Sequence, residues 1–343
     1  MDIFEIHGQT GMSKILVGES LQNLPKHLPP TKCIIITDKS VKNHYHHLFP
    51  GFDLIELESG EHAKSLETIG EIYTKLLDYE ADRSTFIVGI GGGVVCDLTG
   101  FAASTYMRGL DFGFVATSLL AQVDASVGGK NAINFRGYKN IVGTFNQPKF
   151  VICDLELLGT LPQREILNGL AEILKHALIG DPELFSFLEC HSEERDLWRD
   201  RDFFQRVVRD SIAVKTAIVE RDERESGERR ILNFGHTLGH AIEKITRLSH
   251  GEAISLGMSF AVRYSEKGKK LGTKESERIL SLFNKMKFPM DNVFDKTKAL
   301  AAIKKDKKRE ADRIHFVFLK DIGTPEVKKI SFDELEDSVH DLC

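Results

Sequence analysis

The sequence predicts an α/β chain in two parts, an α/β half followed by a mainly helical half. Three observations predict it: short apolar runs that stop at glycine or aspartate, helical periodicity between those runs, and a change to helical periodicity almost alone after about residue 160. The length agrees, since 343 residues make about two domains at roughly 150 residues each.

The elements follow in order. Cys33-Ile34-Ile35-Ile36-Thr37 is a short apolar run ending at Asp38, as a buried parallel strand does. Residues 66–78 carry apolar positions at helical spacing. Thr85 to Ile90 is rich in β-formers, and Gly91-Gly92-Gly93 then leads into the helix-like VVCDLTGFAAS. Phe112 to Val115 and Phe150 to Cys153 are two more strands, so strand, glycine turn, helix and strand give a βαβ pattern. Beyond residue 160, a helix over 163–179 stops at Gly180, and Asp181-Pro182 supplies an N-cap with proline at the first helical position. Helical periodicity continues through 203–221, 237–246, 252–270 and 274–286. Ile314 to Leu319 is a late β-rich exception.

Composition excludes several classes. Apolar residues make up 41% and charged residues 28%, an ordinary balance for a folded chain. No apolar run approaches the ~18 residues that a membrane helix needs. The start, MDIFEIHGQTGMSK, lacks a basic head followed by an apolar stretch, so a cytoplasmic address is expected. Cys33, Cys96, Cys153, Cys190 and Cys343 are scattered, without a CxxC pair, and read as reduced thiols. The net charge is −5 with no basic block, so nucleic acid has no electrostatic footprint. A phosphorylated small molecule stays compatible, because it needs only a local cluster of cations.

Three segments carry chemistry. Gly89-Ile90-Gly91-Gly92-Gly93 lies between a strand and a helix, where bare backbone can approach a pyrophosphate at the positive end of the helix. The match to GxGxxG fails at Val94, so the turn reads equally as a tight structural turn. Asp97, in the first helical turn, repels phosphate but suits a ribose or substrate hydroxyl. His236 and His240 stand four apart on one helical face, and His250 follows ahead of a new helix. Glu172 and Lys175 share a face of the 163–179 helix. A catalytic zinc commonly takes three N/O ligands and keeps one open position. Spacing leaves open which three of His236, His240, His250, Glu172 and Glu252 would serve. Residues 122–140 place Asp124, Lys130, Asn134, Lys139 and Asn140 around Gly128-Gly129, a glycine-bearing loop suited to an anionic polyhydroxylated ligand. Lys175, Lys215 and Arg229 taken one at a time read as surface charges.

Together these segments resemble the 3-dehydroquinate synthases. GGGVVCDLTGFAASTYMRG is similar to that family's glycine-rich turn and helix, and LLAQVDASVGGKNAIN with GYKN to its substrate loop. LPQREILNGLAEILKHALI, RDERESGERRILNFGHTLGHAIE, HGEAISLGM and KKDKK complete the series in order, over roughly residues 30–325. The resemblance implies a Rossmann-like α/β NAD-binding domain over 1–158 and a mainly helical metal- and substrate-binding domain over 159–343. It also implies a homodimer, and a reaction that closes 3-deoxy-arabino-heptulosonate 7-phosphate into 3-dehydroquinate with loss of phosphate.

Residue roles are implied in the same way. Glu172, His236 and His250 would bind Zn2+ or Co2+, leaving His240 as an acid–base or substrate contact. NAD+ would lie on Gly91, Gly92 and Gly93 near Asp97. Asp38, Glu61, Lys64, Thr117, Ser118 and Thr160, with Lys130 and Lys139, would complete its pocket. Substrate would be held by Arg108, Asp124, Lys130, Lys139, Asn140 and Lys175, and further by Lys215, Glu225, Arg229, Asn233 and a KKDKK lysine, taken as Lys307 ahead of Lys308. Cys96 stands where the family has glycine, and Asn131 where it has threonine; neither removes an implied ligand or cation. The rival readings are another sugar phosphate cyclase and a metal-dependent polyol dehydrogenase.

Overall fold

The computed structural model describes residues 1–193, 200–290, 294–306 and 313–343. The chain forms two compact units: Met1–Ile166 with Arg199–Arg224, and Leu167–Trp198 with Glu225–Cys343.

In the first unit the strands are β1 (Asp2–Gly8), β2 (Gly11–Val17), β3 (Cys33–Asp38), β4 (Asp53–Leu57), β5 (Phe86–Gly91), β6 (Phe112–Ala116), β7 (Lys130–Phe135), β8 (Tyr138–Phe145) and β9 (Phe150–Cys153). Seven of them make one sheet in the order β1-β2-β9-β6-β5-β3-β4. Only the β1–β2 pair is antiparallel. β3 and β5 are covered on both faces, which is why they read as unbroken apolar runs. Ile35, Val88, Ile90, Val115 and Ile152 form part of the core on the sheet. Each such side chain contributes about 1.5–3 kcal/mol by leaving water.

Strand order reverses between β3 and β5, because β4 continues to one edge while β6 and β9 continue toward the other. Thr37 pairs with Ile90, so Asp38 and Gly91 reach the carboxyl edge side by side. Open α/β sheets bind ligands at this kind of switch point. Helices α1 (Lys39–Tyr45), α2 (Leu66–Asp78) and α3 (Gly93–Thr105) connect these strands. β7 and β8 pair as a separate antiparallel hairpin, so the stretch read as a glycine-bearing loop is a hairpin from Lys130 onward.

The second unit holds α4 (Gln163–Gly180) from Leu167 onward, α5 (Pro182–His191), and, after α6 (Arg201–Arg221) of the first unit, α7 (His236–Ile245) and α8 (His250–Lys267). α9 (Thr273–Lys285), α10 (Lys296–Asp306), the β10 (Arg313–Asp321)–β11 (Thr324–Ser331) hairpin and α11 (Phe332–Leu342) complete it. A division at 158/159 would put α6 with the helical half. Its buried face, including Phe203, Val207 and Val208, instead packs on β1, and Gln205 Nε2 donates to Asp2 Oδ2 at 2.6 Å. Asp181 caps α5 as its sequence dictates, accepting from Glu183 N at 3.0 Å and Leu184 N at 2.9 Å. Among the described residues, no helix is long and apolar enough to cross a membrane. The cysteines are free; Cys33, Cys96 and Cys153 are buried.

Candidate active site

Local chain geometry sets the histidines of the second unit. Gly235 holds φ 77°, a left-handed conformation that glycine adopts without strain, and a Cβ there would run into Met258. That turn makes His236 the first residue of α7. Ser249 and Glu252 form a capping box that starts α8 at His250, with Glu252 accepting from Ser249 N at 2.6 Å. Asn168 on α4 accepts from Gly251 N at 2.8 Å and holds the same turn.

Glu172 of α4, fully buried, faces both imidazoles. His250 Nε2 lies 3.2 Å and His236 Nε2 3.5 Å from Glu172 Oε1. His236 Nδ1 lies 3.0 Å from the Phe234 carbonyl, which fixes the tautomer that leaves Nε2 with its lone pair. His250 Nδ1 lies 3.7 Å from Glu243 Oε2. Two imidazole nitrogens and a carboxylate oxygen, each oriented from behind, are a donor set that fits a divalent metal. His240, His250 and Glu243 form a second, more exposed grouping.

Electrostatics couple the members of the first set. Burial alone would push the Glu172 carboxyl up, but the Lys175 ammonium and the two imidazoles hold it well below the usual range. Lys175 donates to Glu172 Oε2, one turn along α4. Burial, together with the nearby Lys175 cation, drives His236 down to about 3. Burial opposes charging of His250 too, yet its bonds to Glu172 and Glu243 raise it to about 10.

The glycine turn of the first unit ends β5 and opens α3 with Gly92 as N-cap. A Cβ on Gly91 would sit 2.5 Å from the Val95 side chain, and one on Gly92 3.3 Å from Ser118 Oγ. Bare backbone at a helix N-terminus, on the switch point of a parallel sheet, fits the pyrophosphate of a dinucleotide. Around it, Lys64 Nζ donates to Asp97 Oδ2 and to Asn140 Oδ1, both at 2.5 Å. Ala132 N donates to Asp97 Oδ1 at 3.1 Å. Burial raises Asp97 although Lys64 opposes it. Asn134 links Asn140 N, at 2.9 Å, to Glu61 Oε1, at 2.8 Å. Thr117 N donates to the Gly91 carbonyl at 2.9 Å. Asp38 caps α1, accepting from Ser40 N at 2.8 Å, and Thr160 Oγ1 meets Tyr45 OH at 2.7 Å.

Lys175, Lys215 and Arg229 are not surface charges: they are 1%, 4% and 2% exposed. Burying a charge is costly, so each buried lysine needs a carboxylate beside it. Lys64 has Asp97, Lys175 has Glu172, and Lys215 donates to both the carboxylate and, at 2.6 Å, the carbonyl of Asp124. Lys130, Lys139 and Asn140 are exposed on the β7–β8 hairpin. Asn233 Nδ2 donates to Glu225 Oε1. Arg108, Asn140 and Glu225 adopt positive φ of 73°, 53° and 58°. Lys307 and Lys308 lie outside the described residues.

Glu243 and Asn168 did not emerge from the sequence reading. Glu243 was detectable, because it falls seven residues after His236 on the same face of α7. Asn168 had no comparable signal, since a side chain that caps a helix 83 residues away leaves no local pattern.

Residues 54–168 match the family model of the 3-dehydroquinate synthase N-terminal region, and residues 169–309 that of the C-terminal region. The 3-dehydroquinate synthase of Geotalea uraniireducens is 44% identical over 274 residues, 79% of this chain and 76% of that one. The enzyme of the same name from Thermoanaerobacter pseudethanolicus is 41% identical over 323 residues, 90% of each chain. Among solved structures, 2-epi-5-epi-valiolone synthase from Streptomyces hygroscopicus subsp. jinggangensis 5008, with NAD+ and Zn2+ bound, superposes with a TM-score of 0.87 at 26% identity over 96% of both chains. On these matches the chain belongs to the 3-dehydroquinate synthase family.

Proposed function

We propose that this protein is a 3-dehydroquinate synthase that converts 3-deoxy-arabino-heptulosonate 7-phosphate into 3-dehydroquinate and phosphate. The observation that carries the reading is the convergence of Glu172, His236 and His250, backed by the buried Lys175, within a chain of this family. Glu172, His236 and His250 would hold zinc or cobalt. Gly91, Gly92 and Gly93, with Asp97, Lys64 and Glu61, would hold NAD+; Asp38, Thr117 and Ser118 border that turn, and Thr160, bonded to Tyr45 of α1, would complete the pocket. When bound, NAD+ supplies reversible hydride transfer at the C5 alcohol and the metal supplies a Lewis acid for that oxygen.

The chain's own contribution is binding and charge. Lys130, Lys139 and Asn140 on the hairpin, and Lys215 braced by Asp124, present cations and an amide to the phosphate and carboxylate of the substrate. Arg229, with Asn233 held by Glu225, adds a guanidinium and a further amide, and Arg108 adds another guanidinium. Once C5 is a ketone, the neighbouring C–H is acidic and phosphate leaves by elimination. Fixed cations lower the energy of the developing enolate because they need no reorganisation when the charge forms. No dedicated carboxylate base is needed if the departing phosphate takes that proton. His240, exposed at the edge of the histidine cluster, is placed to exchange a proton with a substrate hydroxyl. A homodimer and a cytoplasmic location complete the reading; sedimentation analysis checks the first.

The deciding experiment is phosphate release from 3-deoxy-arabino-heptulosonate 7-phosphate with catalytic NAD+, before and after chelation. The expected result is stoichiometric release without NADH build-up, lost on chelation and restored by zinc. Absence of release from protein replete in metal and NAD+ refutes the proposal. Net NADH formation with a polyol would move the assignment to the dehydrogenases.

A further inference from the structure

Glu223 stands two residues past the end of α6, 5% exposed, in the first unit. One of its carboxylate oxygens accepts from Gln9 N at 2.6 Å and Thr10 N at 3.3 Å, in the turn between β1 and β2. The other accepts from Thr10 Oγ1 at 2.5 Å and Gln147 Nε2 at 2.9 Å. The turn is shaped around this carboxylate, since a Cβ on Gly8 would overlap Glu223 Oε1. Burial alone would push the Glu223 carboxyl up, but the bonds from Thr10, Gln147 and Gln9 hold it below its usual range, so it is ionised at neutral pH. Hydrogen bonds to an ionised acceptor are roughly twice as strong as neutral ones, which makes this a firm anchor.

Gln147 carries the link onward. Facing a carboxylate, its amide must present Nε2, and that requirement settles its orientation. The same Nε2 occupies the space beside Gly129: a Cβ there would lie 2.9 Å from it, and Gly129 holds φ +72°. The Gly129 carbonyl accepts from Asn146 N at 2.8 Å and from Asn131 Nδ2 at 3.0 Å, and the next residue is Lys130. Lys215, on α6, meets the same segment at its other end through Asp124. Residues 124–130 are therefore met at two points, by hydrogen bonds from Lys215 of α6 to Asp124 and by Gln147, which bonds to Glu223 just past the helix end and packs beside Gly129.

We propose that Glu223 is a positioning residue for the substrate: through Gln147 it locks the end of α6 to the Gly128-Gly129 turn and so sets the placement of Lys130. The proposal rests on the dehydroquinate synthase reading of Lys130 and Lys215. It predicts that the substrate's anchor loosens when the carboxylate is neutralised, because the amide of a glutamine turns a donor toward donors.

The test is hydrogen–deuterium exchange with steady-state kinetics on the full-length protein, replete in zinc and NAD+, carrying Glu223→Gln or Gln147→Met. Amides of residues 126–132 should exchange at least tenfold faster while those of β5 keep the wild-type rate. KM for 3-deoxy-arabino-heptulosonate 7-phosphate should rise at least fivefold with kcat within threefold. The reciprocal pair Glu223→Gln with Gln147→Glu restores an amide–carboxylate bond and should recover part of KM. A purely structural carboxylate would lower the unfolding temperature yet leave KM and the exchange of 126–132 unchanged, and that result overturns the proposal. Should Glu223→Gln not fold, Gln147→Met, which keeps the bonds to Gln9 and Thr10, decides alone by the same criteria. Should the wild-type protein not turn over this substrate, the activity reading fails, while the exchange of 126–132 still decides whether Glu223 holds the turn.

Discussion

Replacing Lys175 by methionine keeps most of the side-chain stem and removes one charge from beside Glu172. Both groups are buried, at 1% and 0% exposure, and they pair along one face of α4. Removing one partner of a buried pair costs about 3–5 kcal/mol, because the other charge is left without compensation. His250, held protonated at neutral pH by Glu172 and Glu243, still offers Glu172 one cation, so the lower figure of ~3 kcal/mol applies to metal-free protein. For a domain of this size 1 kcal/mol moves the unfolding temperature roughly 2–4 °C, which gives a fall of roughly 6–12 °C. With a divalent cation on Glu172, His236 and His250, the carboxylate has another counter-charge, and the deficit should shrink to ~1 kcal/mol or less. Circular-dichroism melts of wild type and Lys175→Met, each in chelator and in excess zinc, measure the two differences. Equal deficits in both conditions, or a metal-free deficit under 2 °C, would show that Lys175 does not neutralise Glu172 as its position implies.

Two further outcomes follow from the first unit. Lys130→Ala should lower kcat/KM at least tenfold, about 1.4 kcal/mol of transition-state stabilisation, and wild-type kinetics would remove Lys130 from the site. Glu223, with its carboxyl held below the ordinary value of 4.5, contributes stability that is present above that value and lost as pH falls through its lower folded value. The gap in unfolding temperature between wild type and Glu223→Gln should therefore be constant near neutrality and close below about pH 4.5; a gap that widens on acidification contradicts the assignment.

What the sequence disclosed depended on how each element is buried. Cys33 to Thr37 and Thr85 to Ile90 were legible because both faces of β3 and β5 are covered. DIFEIHG and GMSKILV carry no clear strand signal, because β1 is the sheet's edge strand and both β1 and β2 mix charged with apolar positions. The β7–β8 hairpin escaped for a stronger reason: every residue of β8 except Thr144 is exposed, so no burial pattern marks it. α6 was legible as a helix, yet its apolar stripe could not say that β1 was its partner. The same limit hid the buried lysines. Lys175 and Glu172 share a helix face and could be paired by eye, whereas Lys64–Asp97 and Lys215–Asp124 join residues 33 and 91 apart.

Spacing alone is insufficient to choose among the metal donors. Five side chains had the right chemistry, and the structure separates them by what their other atoms are doing. Glu252 is spent on the amide of Ser249, where it starts the helix that presents His250. His236 turns Nδ1 to the Phe234 carbonyl and His250 turns Nδ1 toward Glu243, which leaves both Nε2 atoms facing Glu172 Oε1. In the arrangement we propose, Glu243 stands behind His250 and does not take the ion itself. A carboxylate behind a ligating imidazole orients the ring and strengthens it as a donor, so the grouping of His240, Glu243 and His250 reads as outer support for the set we propose.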